Sequence, residues 1–406
     1  MSLYVQKFGG TSVASPDRMR EVAEHVRRTV GRGHQVVLVV SAMGKETDEL
    51  LRLADAVSSV RPGREMDLLI TGGERKACAL MAMALHNVGI ESSSFTGSQA
   101  GFITDTTHRN AKILEIRPER VLEALADGQV PIVAGSQGVS TDKDVTFLGR
   151  GGSDTTAVAL AHALKADACE LYTDVSGVFT TDPRLVPEAR RMATISFDEL
   201  MEMTATGCPK PAMRSVEVAR AYGVPLHVRS AFTWEPGTWV TEEDPSMEKA
   251  VVSAVTHDLS ESKITITGVP DEPGVAAKVF RTLADVDVNV DMIVQNVSAE
   301  GVTDISFTTP RGDSAQATEH CQSLADSIGA AAVSCDDTIA RVSLVGAGMK
   351  SNPGVAATMF ETLANASINI DMISTSAIRI SCVVGEDEAE AAVGVLHEAF
   401  ELHNAR

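Results

Sequence analysis

An internal repeat near the carboxyl end restricts the possible folds of this chain more than any other feature of its sequence. Residues 273–277 (PGVAA) recur 80 residues later as 353–357, and 289–293 (NVDMI) recur at the same offset as 369–373 (NIDMI). Each copy reads as strand, Pro-Gly turn, helix, two strands, helix and strand, which is the pattern of a small βαββαβ, ferredoxin-like module. The seam between two such modules is a natural site for a small ligand.

The repeat sets the predicted domain organisation. We place the first module at residues 263–338 and the second at 339–406, which a strand at about 249–260 could join. The residues before the repeat, 1–245, form a separate N-terminal domain. The acidic, proline-containing segment 241–246 (TEEDPS) links the two parts.

Strand and helix patterns alternate through the N-terminal domain. Residues 35–40 (QVVLVV) are typical of a strand that is buried on both faces. The segment 15–17 (SPD) combines a helix cap, a proline for the first turn and an acid near the positive end of a helix. Further strands are expected at 3–5, 131–134 and 170–173, and further helices at 47–56 and 74–86. This alternation predicts an α/β fold with a doubly wound, mostly parallel sheet.

Four polar residues fall where predicted strands end. They are Lys7, Ser41, Arg150 and Asp174. Because ligands of doubly wound sheets bind beyond the carboxyl ends of the strands, we expect these residues to converge on one site.

Residues 149–156 (GRGGSDTT) carry the strongest signal for a ligand. Three glycines let the backbone approach a ligand closely, and the hydroxyl and acid side chains fall where a helix begins, so that free N–H groups point into the turn. Arg150 can hold a carboxylate or phosphate through two parallel N–H bonds. The segment predicts an anion site, although a Gly-rich turn before a helix is also a common tight connection.

Charge and composition exclude several classes of function. The 406 residues carry a formal net charge of −20 and no concentrated basic run, which argues against a nucleic-acid or anionic-membrane surface. The 6 cysteines lie far apart without the spacing of metal ligands, so we expect reduced thiols and no metal site built from them. The N-terminus lacks the pattern of a signal peptide and no apolar segment reaches membrane-spanning length, so we expect a cytoplasmic protein.

Two common nucleotide-binding motifs are missing. The Gly-Lys pair at residues 44–45 is followed by Glu46 rather than by Ser or Thr, and there is no spaced G-x-G-x-x-G. Phosphoryl transfer needs mainly positioning and positive charge on the transferred group. Lys7, beside Gly9 and Gly10, is the candidate for that charge, and the alternative is a solvated lysine at a strand end.

Several motifs together resemble the aspartate kinase family of the amino-acid kinase superfamily. In the N-terminal domain they are 7–13 (KFGGTSV), 40–44 (VSAMG), 73–75 (GER), 94–97 (SFTG), 148–156 (LGRGGSDTT), 172–174 (YTD) and 182–184 (DPR). In the repeats, 291–298 (DMIVQNVS) and 342–349 (VSLVGAGM) resemble the two ACT regulatory modules of that family. The resemblance covers essentially the whole chain and implies an amino-acid-kinase-like sheet followed by two ACT modules.

The activity that this resemblance implies is ATP-dependent phosphorylation of the side-chain carboxylate of L-aspartate. The product is 4-phospho-L-aspartate, the first step toward lysine, threonine and methionine, and Mg²⁺ would bridge the nucleotide phosphates. A carboxylate nucleophile is already ionised at neutral pH and needs no general base.

The resemblance also implies roles for individual residues. The catalytic residues would be Lys7, Gly9, Gly10 and Asp154. The aspartate would be held by Ser41, Thr47, Glu74, Arg150, Gly151, Gly152 and Ser153, with Glu74 on the ammonium and Arg150 on a carboxylate. The nucleotide pocket would consist of Lys7, Gly10, Thr173, Asp174, Phe179, Asp182, Arg184 and Lys210. As alternatives, Glu74 could be a capping or surface acid, and Thr47 an ordinary helix cap.

The ACT pair implies feedback by lysine, threonine or both, although the repeat could also be purely structural. The matching effector positions are Asp271, Asp291, Gln295, Asn369 and Ile370, where an acid beside amides suits an amino acid's ammonium. Paired ACT modules make a homo-oligomer the expected assembly. Met247 matches the point where some relatives begin a separately translated regulatory subunit, so a shorter partner chain could also exist.

The chain departs from the family pattern at four places. Gly72 stands where a hydroxyl residue usually precedes Gly-Glu-Arg, and Ser176 and Phe179 stand where Asp and Tyr are usual. The loop 138–144 is shortened, and 207–214 (GCPKPAMR) replaces a stretch that normally reads Gly-Ala-Lys followed by apolar residues. The prolines in the last segment favour extended or turn geometry, which affects how its lysine could approach a nucleotide.

Two other functions stay open. A diverged paralogue could phosphorylate another small carboxylate, but the intact Glu74 and Arg150 count against it. A non-catalytic amino-acid sensor could keep only the ACT pair in use, but Lys7 and Asp154 are retained as well, which a decayed site does not require.

Overall fold

The computed structural model describes residues 1–242, 251–296, 301–349 and 352–404. The chain forms two compact units. The first unit comprises Met1–Val178, Arg191–Thr204 and Pro209–Pro245, and the second comprises Phe179–Arg190, Ala205–Cys208 and Ser246–Arg406. Residues 243–246 of the acidic link, Met247 and residues 297–298 of the ACT motif lie outside the described residues.

The first unit is built on one large sheet. The strands of this unit are β1 (Leu3–Phe8), β2 (Gln35–Val40), β3 (Ser92–Phe95), β4 (Phe102–Thr104), β5 (Ile113–Ile116), β6 (Val130–Ala134), β7 (Gln137–Ser140), β8 (Val145–Phe147), β9 (Ala168–Thr173), β10 (Thr194–Ser196), β11 (Leu226–Ser230) and β12 (Thr238–Thr241). Eight of them form a sheet in the order β10-β12-β11-β9-β1-β2-β6-β3, in which only the β11–β12 pair is antiparallel. The predicted doubly wound, mostly parallel sheet is confirmed.

Helices follow several of these strands. They are α1 (Pro16–Gly31), α2 (Glu46–Val57), α3 (Gly63–Ile70), α4 (Gly72–Asn87), α5 (Glu119–Ala126), α6 (Gly152–Leu164), α7 (Phe197–Ala205) and α8 (Met213–Tyr222). The predicted start of α1 is confirmed, because the Ser15 hydroxyl accepts a hydrogen bond from the N–H of Arg18 at 3.3 Å and Pro16 occupies the first turn. No helix among the described residues is long and apolar enough to cross a membrane.

Strand register brings the predicted site segments together at the carboxyl ends of the strands of the large sheet. β1 pairs in parallel with β2 and β9, so that Phe8 lies opposite both Val40 and Tyr172. The residues that follow these strands, including Ser41 and Asp174, therefore leave the sheet side by side. The strand 35–40 is buried at every position except its first, as expected for the centre of a parallel sheet.

The position expected for Arg150 was wrong in one respect. Arg150 does not follow a strand of the large sheet; it follows β8, which belongs to a separate four-stranded sheet in the order β5-β4-β7-β8. The reason is that β7 and β8 form an antiparallel hairpin after β6, with Gln137 opposite Phe147. The hairpin returns the chain to the edge of the large sheet before α6 begins.

The second unit contains the two repeats. Its elements are β13 (Ala254–Asp258), β14 (Glu261–Pro270), α9 (Val275–Ala284), β15 (Ile293–Gln295), β16 (Val302–Pro310), α10 (Ser314–Ile328), β17 (Ala332–Asp336), β18 (Ile339–Val345), α11 (Val355–Asn365), β19 (Met372–Thr375), β20 (Arg379–Gly385) and α12 (Ala389–Ala399). The first module forms the sheet β15-β16-β14-β17 and the second forms β13-β18-β20-β19. The second module therefore takes its fourth strand, β13, from the residues before the first module.

The repeated Pro-Gly turn has a conformational cause. Gly274 and Gly354 precede α9 and α11 with φ of 98° and 113°, a left-handed region that side chains disfavour. The helices that follow bury equivalent positions, namely Val275, Val279 and Leu283 in α9 and Val355, Met359 and Leu363 in α11. Glycine is repeated for backbone geometry, and the apolar residues are repeated at helical spacing for packing.

Candidate active site

A buried ion pair joins the central strand to the helix that begins at the Gly-rich turn. Lys7 on β1 is 5% exposed, and its Nζ lies 2.5 Å from Oδ1 of Asp154 in the first turn of α6. Burial opposes ionisation of Asp154, but the charge and hydrogen bond of Lys7, the N–H of Ala212 and the charge of Lys210 outweigh it and hold the pKa below its usual range. Lys7 is therefore not a solvated lysine at a strand end.

Two glycine turns pack against each other beside this pair. Gly9 donates its N–H to the Tyr172 carbonyl at 3.3 Å, and a Cβ built on it would lie 3.4 Å from the Lys7 ammonium. A Cβ on Gly10 would lie 2.9 Å from the Ala42 carbonyl oxygen, where no side chain fits. The close approach of the turns after β1 and β2 therefore requires glycine at position 10.

Glu74 lies in the first turn of α4 and faces the second of these turns. Its side chain is 4% exposed, and its carboxylate accepts backbone hydrogen bonds from its own N–H and from Ala42. Burial raises the pKa of Glu74 to about 7 against the effect of these bonds. The Oε2 atom has no hydrogen-bond partner among the described residues. A buried carboxylate oxygen without a donor is suited to a ligand ammonium.

Ser41 and Thr47 lie on the segment that leads from β2 into α2. Ser41 donates its N–H to the Phe8 carbonyl at 3.1 Å, which places it directly beyond β2. Thr47 is half-buried in the first turn of α2, whose cap is Lys45. The interpretation of Thr47 as a helix cap is wrong, because the helix begins one residue earlier, where the N–H of Glu46 bonds to Met43.

The anion turn has the geometry that its glycines require. Gly149 and Gly151 adopt φ of 87° and 74°, and Gly151 is the cap residue of α6, so that the first N–H groups of the helix are not covered by a side chain. Arg150 between them is exposed. Gly152 begins the helix and donates its N–H to the Gly149 carbonyl at 3.1 Å.

A serine pair behind the turn was missed by the sequence analysis. The hydroxyl of Ser153, which the sequence analysis assigned to the substrate, lies 2.9 Å from that of Ser136, and both residues are buried. Ser136 adopts φ of 59°, which is uncommon for a residue with a side chain. Its N–H donates to Thr156 Oγ1 at 3.0 Å. No spacing or motif in the sequence indicates this pair, since it depends on the fold of the β6–β7 connection.

Besides Lys7 and Gly10, the first unit contains three further residues expected to bind the nucleotide. Thr173, at the end of β9, is buried and donates its hydroxyl to Asp174 Oδ1 at 2.8 Å, while Asp174 itself is exposed. Lys210 is exposed, and its charge acts on Asp154. The adjoining Ala212 donates its N–H to Asp154 Oδ2 at 3.1 Å. The unusual segment around Lys210 therefore lies beside the Lys7–Asp154 pair.

The remaining nucleotide-pocket residues belong to the second unit. Phe179 is half-buried there, and Asp182 accepts two-pronged hydrogen bonds from Arg184, with the closest contact at 2.6 Å. The hydrogen bonds of Arg184 hold the pKa of Asp182 below its usual range.

The predicted effector residues are spread over both modules of the second unit. Asp271, Gln295 and Asn369 are exposed and Ile370 is half-buried. Asp291 pairs with the buried Arg341.

A cavity of about 680 Å³ lies in the second unit, and Asn369 is the one predicted effector residue among those that line it. Its polar lining is mainly acidic and includes Asp336, Asp371, Glu386, Asp387 and Glu388. Lys263 partly offsets this charge, because its ammonium lies 2.5 Å from Asp371.

Different known protein families match the N-terminal part of the chain and the two repeats. A sequence model of the amino acid kinase family matches residues 2–230, and a model of the ACT domain matches residues 264–323 and 342–400. An aspartokinase of Mycolicibacterium smegmatis is 56% identical over 407 aligned residues, which cover 99% of this chain and 97% of that protein.

Solved structures show the same architecture. Aspartokinase III of Escherichia coli, in complex with aspartate and ADP, is similar with a TM-score of 0.83 and 24% identity, and the match covers 98% of this chain and 99% of that chain. The complex of aspartokinase III of E. coli with lysine and aspartate has a TM-score of 0.74 and 25% identity, with coverage of 98% and 99%. The matched regions and the identity over the full length lead to one conclusion: the chain belongs to the aspartokinase family.

Proposed function

We propose that this chain is an aspartate kinase, which transfers the γ-phosphoryl group of ATP to the side-chain carboxylate of L-aspartate. The observation that carries the proposal is the buried Lys7–Asp154 pair, 2.5 Å between charged atoms, at the N-terminus of α6 and beside the glycine turn that follows β1. The full-length identity to an aspartokinase supports the same activity.

The two ends of an amino-acid substrate would meet two different groups. The unpartnered Oε2 of Glu74 would accept hydrogen bonds from the substrate ammonium, and the exposed Arg150 would hold a carboxylate through its guanidinium. Ser41, Thr47 and Ser153 would complete this pocket together with the backbone of Gly151 and Gly152. One acid and one arginine are the charge complement of a zwitterion.

The chemistry requires positioning and charge rather than a base. The side-chain carboxylate of aspartate attacks the γ-phosphorus through one oxygen, the bond from that phosphorus to the bridging oxygen breaks, and ADP and an acyl phosphate result. Charge builds on the transferring group, and the Lys7 ammonium would compensate it without reorganisation because Asp154 already holds it in place. Gly9 and Gly10 would let the phosphoryl group approach the backbone.

The nucleotide would lie near the end of β9. Thr173, Asp174 and Lys210 belong to the first unit and would contact it, and Phe179, Asp182 and Arg184 are the further residues that the family resemblance assigns. Mg²⁺ would arrive with the nucleotide and neutralise phosphate charge. Mg²⁺ prefers oxygen ligands, which the nucleotide phosphates would supply. Because ATP is the donor, we propose that the reaction takes place in the cytoplasm.

Lysine, threonine or both would act as feedback effectors at the ACT modules. The acidic cavity lined by Asn369 offers carboxylates for an effector ammonium, and Asp271, Asp291, Gln295 and Ile370 are the other proposed contacts. Exposed edge strands such as β15, which carries the exposed Ile293, favour a homo-oligomer through these modules.

Acyl-phosphate formation tests the proposal directly. Purified protein with ATP, Mg²⁺ and L-aspartate should give a hydroxamate when hydroxylamine is added, and lysine with threonine should lower the rate. Replacing Lys7 with alanine should lower kcat at least about 100-fold, because the charge on the transferring group is lost. If the folded wild-type protein forms no hydroxamate with aspartate but does so with another small acid, that acid and not aspartate is the substrate.

A further inference from the structure

Arg214 lies in the first turn of α8 and fixes two segments of main chain in the first unit. Its Nη1 donates to the Leu148 carbonyl at 2.7 Å and its Nη2 donates to the Ala111 carbonyl at 2.8 Å. The side chain is half-buried, and burial lowers the pKa of its guanidinium. Neither acceptor is a carboxylate. The two bonds therefore serve to hold backbone in place rather than to form an ion pair.

Leu148 is the residue immediately before the anion turn. Its N–H donates to the Ser136 carbonyl at 2.8 Å, so with Arg214 on its carbonyl both polar groups of this residue are fixed. Gly149 follows with φ of 87°. Because glycine has few conformational restraints of its own, the path of the turn depends on how the peptide at its base is held. The orientation of Arg150 depends on that path in turn.

The beginning of α8 also contacts the other half of the site. Ala212, its cap residue, donates its N–H to Asp154 Oδ2 at 3.1 Å, and Asp154 is the partner of Lys7. A Cβ built on Gly151 would lie 2.4 Å from the Ala212 Cβ, so this residue also lies directly against the turn. One short segment thus touches both the phosphoryl-transfer pair and the anion turn.

We propose that Arg214 is a positioning residue for the carboxylate-binding subsite: by holding the Leu148 carbonyl it sets the place of the Gly149–Gly152 turn, and so the distance between Arg150 and Lys7. This inference rests on the proposed aspartate kinase activity. It adds a residue that affects substrate binding without contacting the substrate. A guanidinium is required because its planar fork presents separate N–H groups to two carbonyls. A lysine ammonium is a compact point donor on a flexible stem and cannot replace both bonds.

The expected effect is a selective loss of substrate binding. In Arg214→Ala the KM for aspartate should rise about tenfold, while kcat and the KM for ATP stay within about twofold, because Arg150 is displaced and binding of the carboxylate is weakened in ground state and transition state alike. Arg214→Lys should keep most of this defect despite its charge. Methylguanidinium ion should lower the KM for aspartate of the alanine variant, because it can occupy the vacated position between the two carbonyls.

Arg220→Ala is the matched control. Arg220 lies on the same helix, is exposed and pairs with Asp198 at 2.7 Å, so its replacement removes an arginine and an ion pair without touching the turn. Its kinetic constants should match those of the wild type. Circular dichroism and thermal unfolding of all variants would show whether each is folded, and if Arg214→Ala is not folded the lysine variant decides the question.

The outcomes separate this inference from the proposed function. An active wild type with an unchanged KM for aspartate in the folded Arg214 variants overturns the positioning role but leaves aspartate kinase activity intact. Equal increases in the KM for ATP and for aspartate, with no effect of methylguanidinium, would indicate a general structural role and overturn it as well. A folded wild type without aspartate-dependent turnover overturns both.

Discussion

The ammonium of Lys7 and the carboxylate of Asp154 lie 2.5 Å apart, and neither side chain is more than 7% exposed. Lys7 comes from the middle of the large sheet and Asp154 from the first turn of α6, so the pair joins the two elements on which the proposed site is built. A buried ammonium is costly without such a partner. The pair therefore keeps a positive charge fixed where the transferred phosphoryl group would lie.

Replacing Asp154 with asparagine tests this arrangement. The substitution keeps the shape of the side chain but removes the charge that fixes Lys7, so kcat in the hydroxamate assay should fall about 100-fold or more. Asp167→Asn is the control, since Asp167 accepts the Leu3 N–H at 2.7 Å on the exposed surface beyond the end of α6. Turnover within about threefold of the wild type in folded Asp154→Asn would show that phosphoryl transfer does not need the pair.

Glu74 predicts a pH dependence of aspartate binding. Burial raises the pKa of Glu74 to about 7, so the carboxyl group is increasingly protonated as the pH falls below that value. Because a substrate ammonium needs the ionised form, the KM for aspartate should rise below pH 7 by up to about tenfold per pH unit and level off above it. Glu74→Gln should have a high KM that stays constant between about pH 6 and 8. The same slope in both proteins would assign the titration to another group.

The raised pKa of Glu74 also affects the stability of the folded protein when no ligand is bound. The protonated form is the favoured one in the folded protein, so this group costs no stability below its ordinary pKa of 4.5, and the cost grows as the pH rises toward about 7. Glu74→Gln should remove the part of the pH-dependent loss of stability that this carboxyl group causes. Denaturant unfolding of both proteins between these pH values measures the difference, and parallel curves would contradict the shift.

Arg341 lies at the centre of a cluster of charged side chains in the second unit. Its side chain is 1% exposed and contacts three carboxylates, those of Asp258 at 3.3 Å, Glu261 at 3.1 Å and Asp291, as well as the Ala205 carbonyl at 2.8 Å. Removing it would leave the carboxylates without their shared cation. Arg341→Ala should therefore lower the free energy of unfolding of this unit by about 3 kcal/mol or more.

Chemical denaturation followed by circular dichroism would measure this loss. Arg281→Ala is the control, because Arg281 is an exposed residue of α9 and its replacement should change stability by less than about 0.5 kcal/mol. A similarly small change in Arg341→Ala would mean that repulsion among the three carboxylates is already relieved by other means.

Two glycines of the second module should respond in opposite directions to the same substitution. Gly354 has φ of 113°, whereas Gly394 lies within α12, and a Cβ would meet no atom within 4 Å at either position. Gly354→Ala should destabilise the unit by about 1 kcal/mol through backbone strain. Gly394→Ala should stabilise it by about 0.5–1 kcal/mol, because alanine loses less entropy in a helix. Thermal unfolding of both variants tests the sign, and a shift of the same sign in both would contradict the conformational argument.

Several features could be predicted from the sequence because they depend on neighbouring residues. The capped start of α1 at Ser15, the buried strand 35–40 and the glycine at each Pro-Gly turn follow from local backbone preferences and from periodicity, and the structure confirms them. The placement of Arg150 after a strand of the large sheet was wrong, because the β7–β8 hairpin intervenes and no local signal shows to which sheet a short strand belongs. The roles of the site residues stay predictions.

The alternation of strands and helices, the two repeated modules and the residue types at the candidate site can be read from the sequence alone, because each depends on composition, spacing or local conformation. The three-dimensional fold was needed to show that Lys7 is paired and buried, that one oxygen of Glu74 has no hydrogen-bond partner among the described residues, and that Arg214 reaches the base of the anion turn. These properties depend on which segments distant in sequence come together. Burial and hydrogen bonding across such segments set the charge state and position of each group, and these cannot be calculated from neighbours along the chain.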